Sequence, residues 1–310
     1  TIDWLSGIDQ DPFFCWMSFP DPHHPWDIPA NEKTRLDWRN VPLPHLYRET
    51  HAARLALLKQ KPKHWLGYYQ GSLWSNLESP RDFVPADLTT DQIREINAYT
   101  HIENELIDEA IGRVIDWLES KNLMETTDIF FTTDHGELQG DFGLLFKGPY
   151  HVDALMRLPF IWKPAGCADV SAASIDAPVG HLDLAPTFCD IAGIQTPDYC
   201  EGQPLPLSID DAAQQPRDSI LTEWDSEHGP ITMHLKSIYR ADGWLMTCYG
   251  PSHLYDGSEG ELYNMTEDPD QTVNLWDDPE RQAVKTDLRE QLFESLPAPR
   301  SPALPRVAPV

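Results

Sequence analysis

Asp134, His135 and Lys147 stand close together in the stretch IFFTTDHGELQGDFGLLFKGPY, residues 129–150. A short apolar run ends abruptly in Asp134-His135-Gly136, and the lysine follows in a Gly-rich loop. A carboxylate and an imidazole side by side can each give a lone pair to one hard or borderline cation. The same two residue types after a strand also serve simply to cap a turn. A second apolar run, residues 13–19 (FFCWMSF), stops at Pro20-Asp21-Pro22 and is followed by His23 and His24. Ligands of open α/β sheets sit outside the carboxyl ends of the strands, so both runs point to one site.

The elements that must position these residues can be read from periodicity. Uninterrupted apolar runs mark strands covered on both faces, which predicts strands at 13–19, 129–133 and 158–162. Between the first two, Ile93, Ile96, Ile102, Leu106, Ala110, Ile111, Val114 and Leu118 recur at helical spacing, which predicts a helix over 91–121 with a cap at Thr89-Thr90. Strand, long helix, strand is the grammar of an α/β sheet. Residues 31–90 carry prolines and scattered Trp and Tyr without a sustained period, and read as an irregular excursion on the substrate side. Residues 181–192 read as a helix closed by Gly193. Beyond 215 the pattern turns β-rich, with a turn at Asp242-Gly243, a short strand around Glu261-Leu262-Tyr263 and a terminal helix over 279–296. The expected organisation is therefore an α/β core over 1–214, a small antiparallel-sheet subdomain over 215–298, and a Pro-rich tail over 299–310.

Composition narrows the function. The 310 residues carry a formal charge of −27, which argues against a nucleic-acid surface, since phosphate contacts need clustered Lys and Arg. No apolar run is long enough to span a bilayer. The acidic balance is compatible with divalent cations, and an anionic substrate would need a local cluster of Lys, Arg or His to overcome the overall field. Five cysteines without C-x-x-C spacing argue against zinc or a disulfide framework and favour a reducing compartment. The first residues, TIDWLSG, carry no targeting segment, so localisation stays open.

The segment DIFFTTDHGELQGDFGLLFKGPYHVDALMRLPFIW resembles the metal-binding segment of the sulfatase family in the alkaline-phosphatase superfamily. Further segments are similar in the family's order: PFFCWMSFPDPHHP, DEAIGRVIDWLESKNL, HLDLAPTFCDIAGI and ELYNMTEDPDQTVNLWDDPE. The resemblance implies an alkaline-phosphatase-like α/β sandwich with a mainly parallel central sheet flanked by helices, followed by a small antiparallel sheet and a terminal helix. It implies that Asp134 and His135 are metal ligands, for Ca²⁺ ahead of Mn²⁺ or Mg²⁺. It implies that His23 and Lys147 are catalytic-site residues contacting the sulfuryl or phosphoryl oxygens. Charge on the transferred group would be met by cation, ammonium and imidazole, and the histidine could act as general acid. His24 is a less favoured neighbour of His23, and Tyr150, His151 and Asp153 are candidates for the pocket wall.

One part of the family pattern is missing. The nucleophile lies in Cys-x-Pro-x-Arg, whose cysteine becomes formylglycine, and none of Cys15, Cys167, Cys189, Cys200 or Cys248 has that context. An early Asp pair that completes the metal site also has no counterpart. Asp134 and His135 alone cannot satisfy a cation that takes six to eight oxygens. The expectation is the C-terminal part of a longer enzyme, whose N-terminal part supplies these groups. Three functions remain: a sulfatase acting on a small-molecule or glycan sulfate ester, a phosphonate monoester or phosphodiester hydrolase, and a catalytically incomplete binding module. The sequence is equally compatible with a homo-oligomer.

Overall fold

In the computed structural model, residues 1–8, 12–73, 83–167, 172–214, 216–228 and 231–297 are described. The first elements are helices α1 (Ile2–Ser6), α2 (His51–Leu58), α3 (Lys63–Tyr69) and the long α4 (Thr90–Ser120). Strand β1 (Ile129–Thr132), the short helix α5 (Asp153–Met156) and strand β2 (Phe160–Lys163) follow. Then come α6 (Leu184–Ile191), α7 (Ile209–Gln214), strands β3 (Ser219–His228), β4 (Ile231–Arg240), β5 (Trp244–Tyr249) and β6 (Gly260–Asn264), and α8 (Gln282–Ser295). No described helix is long and apolar enough to cross a membrane. The expected Pro-rich tail, 299–310, lies outside the described residues.

Two compact units emerge: Thr1–Ile175 with Pro206–Gln214, and Asp176–Leu205 with Gln215–Val310. The segment Asp176–Leu205 belongs to the same unit as the C-terminal sheet.

In the first unit, α4 begins where the sequence places a cap. The Thr89 hydroxyl accepts from the Gln92 amide at 3.2 Å, and the Gln92 side chain accepts from the Thr89 amide at 2.9 Å. Two orphan N–H groups are satisfied reciprocally, which fixes the first turn. Ile93, Ala98, Ile102 and Leu118 form its buried stripe. Asn97 donates to the Gln139 carbonyl at 2.8 Å, and Gln139 returns a bond to the Thr100 hydroxyl at 3.0 Å. The helix therefore grips the loop that follows β1.

Strands β1 and β2 pair antiparallel, with Ile129 opposite Lys163 and Phe131 opposite Ile161. Among the described residues the core sheet is this antiparallel pair, where a mainly parallel one was expected. Residues 13–19 form no strand, which corrects the first strand expectation: Phe14 and Trp16 are exposed and only Phe13, Met17 and Phe19 are half-buried. An apolar run does not make a strand by itself: the backbone needs a ladder partner, and no described strand supplies one here. The excursion 31–90 is more regular than its sequence predicts, since it contains α2 and α3. Arg54 on α2 joins them by donating to the hydroxyls of Tyr69 at 2.7 Å and Tyr47 at 3.1 Å. Trp65 and Tyr69 on α3 are fully buried, and Trp65 packs on Phe142 and Tyr150.

The second unit is a four-stranded antiparallel sheet in the order β3-β4-β5-β6. One face carries Ile238, Met246, Cys248 and Leu262, buried with Leu288 and Leu292 of α8 and with Trp276. Burial there pushes the Cys248 thiol up to about 11. Beneath the sheet's other polar content, the Glu261 carboxylate accepts from the hydroxyls of Tyr249 and Tyr263, all buried. Asp183, just before α6, is fully buried and is held by two Arg217 bonds at 2.5 and 2.8 Å and by the amides of Gly180 and Gln203.

Candidate active site

The chain leaves β1 through Thr133 and enters Asp134-His135-Gly136. The Asp134 carboxylate accepts from the His135 amide at 2.9 Å and from the Thr133 hydroxyl at 3.2 Å. Partial desolvation raises the Asp134 carboxyl, but the neighbouring His135 ring and these donors outweigh it, leaving it below the ordinary carboxylate range. His135 Nδ1 lies 2.8 Å from the Gly136 carbonyl oxygen. A carbonyl can only accept, so Nδ1 carries the proton and Nε2 keeps its lone pair. That Nε2 is 3.6 Å from Asp134 Oδ2, and the carboxylate side chain is 83% exposed. Two open donors at this separation can share one cation with bonds of roughly 2.0 to 2.6 Å. They fit as part of a metal site only, because no group of three or more candidate ligands occurs among the described residues.

Gly136 anchors the turn. Its amide donates to the Leu155 carbonyl at 3.0 Å, and a Cβ at this position would lie 1.9 Å from the Ala154 carbonyl oxygen. No other residue allows the two backbones to approach so closely.

The loop from Leu138 to Lys147 is folded by its own backbone: Leu138 donates to Phe146 at 3.1 Å and Gly140 to Leu144 at 2.8 Å. Gln139, Phe142 and Phe146 adopt left-handed φ angles of 49°, 58° and 69°. Non-glycine residues in that region cost energy and persist only where surroundings over-determine them. The loop brings Lys147 onto His23, 124 residues earlier in the chain, with Nζ against Nε2. His23 Nδ1 lies 2.6 Å from the His24 carbonyl oxygen, so again the ring proton is on Nδ1 and Nε2 accepts from the lysine.

The expected residues therefore fall into two pairs, Asp134 with His135 and Lys147 with His23. Glu137, which the sequence reading passed over, lies within electrostatic reach of both pairs. Burial pushes its carboxyl up to about 7, Lys147 opposes that shift, and Asp134 adds to it. Its Oε1 has no hydrogen-bond partner. The signal available in sequence was a third polar residue in Asp-His-Gly-Glu. Glu103 on α4 is a second missed acid, raised to about 7 by burial and by the charges of Asp21 and Asp27.

The remaining candidates, His24, Tyr150, His151 and Asp153, lie in differing surroundings. His24 stacks on His23 with ring centres 4.1 Å apart and leans on Phe146 at 4.5 Å. Tyr150 and His151 are buried, and burial lowers His151 to about 4. Tyr150 stacks on the fully buried His64, whose Nε2 lies 3.0 Å from the Pro149 carbonyl oxygen. Asp153 sits at the first turn of α5 with its carboxyl raised by burial.

Comparison with known proteins bears on the family and the fold. The family profile described as Sulfatase matches residues 1–194, and that described as N-sulphoglucosamine sulphohydrolase, C-terminal, matches residues 140–297. The uncharacterized sulfatase YidJ of Escherichia coli K12 is 26% identical over 97% of this chain and 55% of its own length. The Delta 4,5-hexuronate-2-O-sulfatase of Bacteroides thetaiotaomicron is 24% identical over 94% of this chain and 58% of its own. The chain thus spans a little over half the length of these relatives. The crystal structure of the phosphonate monoester hydrolase of Agrobacterium radiobacter shares the fold with a TM-score of 0.77 at 22% identity, over 94% of this chain and 58% of that one. Sequence family, α/β core and C-terminal antiparallel sheet lead to one assignment: the chain belongs to the sulfatase family of the alkaline-phosphatase superfamily.

Proposed function

We propose that this chain is part of a hydrolase of sulfate esters and supplies the half of its site that binds the transferred group and one side of a divalent cation. The observation that carries this is the meeting of Lys147 and His23, an amine and an imidazole brought together across 124 residues. The Lys147 ammonium would bind a sulfuryl oxygen as a point charge, where a net charge of −27 otherwise repels an anion. His23 Nδ1 is committed to the His24 carbonyl, which leaves Nε2 as the ring nitrogen that faces Lys147. Once protonated, Nε2–H would donate to the leaving oxygen and hand over its proton as the alcohol departs.

Asp134 and His135 would hold a divalent metal, such as the family generally uses, by Oδ2 and Nε2. When bound, the cation supplies Lewis-acid stabilisation of charge on the transferred group. The Asp134 carboxylate suits calcium, manganese and magnesium alike, while the His135 imidazole is a softer donor than these cations favour. The nucleophile, a formylglycine, would come from outside residues 1–310, because no cysteine here has the required context. A sulfated glycan is the substrate class supported by the relative named as a hexuronate 2-O-sulfatase.

The test is a pair of assays on the protein isolated from its source, with an aryl sulfate and an aryl phosphonate ester. The expected result is faster turnover of the sulfate ester, with kcat/KM for Lys147→Ala down by about 10² to 10³. Preference for the phosphonate ester would transfer the same residues to a phosphoryl centre. No turnover of either, with the wild-type fold intact, would sink the assignment.

A further inference from the structure

The Lys147–His23 pair sits on a closed circuit of contacts. Lys147 follows Phe146 in the chain, the Phe146 ring lies 4.5 Å from that of His24, His24 stacks on His23 at 4.1 Å, and His23 Nε2 returns to Lys147 Nζ. Phe146 is 6% exposed and is enclosed further by Trp26, whose ring stacks on it at 5.9 Å and 5°, and by Phe83 at 5.4 Å. Its backbone stands in the left-handed region at φ 69°, where a bulky side chain is an outlier. The Leu138 amide bonds its carbonyl at 3.1 Å, so the strained peptide is fixed on the loop side as well.

A loop that needed only to turn here would carry glycine or asparagine at this φ. The chain instead keeps an aromatic ring, immediately before the lysine and against the residue next to the histidine. We propose that Phe146 is a positioning residue: its ring, packed against both His24 and Trp26, sets the separation of Lys147 Nζ and His23 Nε2. This rests on the reading that those two groups bind the transferred sulfuryl or phosphoryl group. Its effect is exerted through them, since Phe146 is buried and is not a ligand of substrate itself. Lysine side chains are long and flexible, so only a fixed backbone origin gives Nζ a reproducible place.

The experiment uses the protein isolated in full, with imidazole ¹⁵N spectra of His23 and steady-state kinetics on an aryl sulfate. Phe146→Gly removes the ring while easing the backbone, and Phe146→Tyr keeps the ring. The wild type is expected to show His23 protonated on Nδ1 with Nε2 as an acceptor. Phe146→Gly should lose that signature and drop kcat roughly tenfold to a hundredfold, the scale of a misplacement near 1 Å. Phe146→Tyr should retain most of both. An unchanged ¹⁵N pattern in Phe146→Gly overturns the proposal, and so does a changed pattern with full turnover. If Phe146→Gly does not fold, the same two readings on Trp26→Ala decide the matter. A lost signature in a protein that hydrolyses neither aryl sulfate nor aryl phosphonate leaves the positioning intact and removes the hydrolase reading.

Discussion

His64 Nε2 lies 3.0 Å from the carbonyl oxygen of Pro149, two residues beyond Lys147, and the ring is fully buried against Tyr150. The carbonyl accepts, so the imidazole donates, and burial favours its neutral form. Burial lowers it from 6.5 to about 3, with the bond to Pro149 opposing the shift and the charge of Lys61 adding to it. His151, also buried, is lowered to about 4.

The sign of the resulting pH dependence is fixed by where the protons go. Above 6.5 neither the folded nor the unfolded imidazoles are protonated, and the full stability is present. Below it the unfolded chain takes protons that the folded chain refuses, so stability falls from pH 6.5 down to about 4 for His151 and about 3 for His64. Each group contributes at most about 1.4 kcal/mol per pH unit. Glu103 works in the other direction: its carboxyl holds its proton up to about 7, so its contribution is lost as pH rises from 4.5 to 7. Urea melts between pH 7.5 and 4 should therefore show a shallower acid slope for His64→Gln than for the wild type. Equal slopes would place the proton uptake elsewhere.

Removing a partner from the Asp183–Arg217 pair should be costly. Asp183→Asn leaves the largely buried guanidinium without its charge and is expected to destabilise the second unit by about 3 to 5 kcal/mol. A melt followed by tryptophan fluorescence would register this, and a loss under 1 kcal/mol would show that solvent already screens the pair.

Gly136→Ala should be among the most damaging small substitutions. The new methyl would overlap a backbone carbonyl at 1.9 Å, and backbone yields less readily than a side-chain tip. A loss of about 3 kcal/mol or more is expected, since even ordinary overpacking costs 1 to 3 kcal/mol. A melting temperature equal to the wild type's would refute the close approach of the β1 turn to α5.

For the cation, the expectation is a metal-dependent rise in melting temperature that shrinks in Asp134→Ala. With Kd weakened a hundredfold, stabilisation at fixed metal falls by up to about 2.7 kcal/mol. An identical response in both proteins would remove Asp134 from the ligand set. Titrations with Ca²⁺, Mn²⁺ and Mg²⁺ in parallel would rank the ions.

Residues whose order is set locally were the legible ones. Thr89 announces the start of α4, Gly193 closes α6, and the Asp242-Gly243 turn separates β4 from β5 as its residue types demand. Residues 13–19 misled because apolar composition guarantees neither burial nor a ladder partner, and Phe14 and Trp16 stand exposed. Helices α2 and α3 were hidden because prolines and aromatics interrupt the apolar period, while the bonds that join them, from Arg54 to two tyrosine hydroxyls, are tertiary. At the site, Asp134, His135, His23 and Lys147 could be named from residue type and resemblance. Their grouping into two pairs, and the place of Glu137 near both, depend on a loop whose left-handed residues Gln139, Phe142 and Phe146 carry no sequence mark.

The pairing of Phe131 with Ile161 across β1 and β2 has a practical consequence. Both side chains stand in water, 40% and 62% exposed, directly opposite each other on one face of the ribbon. Adjacent apolar side chains on a two-stranded ribbon attract other hydrophobic surfaces, copies of the same ribbon included. A preparation limited to residues 1–310 is expected to bind a fluorescent apolar dye and to lose material on concentration. Ile161→Thr, which keeps the branched β-carbon and adds a hydroxyl, is the change that should make such a preparation easier to handle.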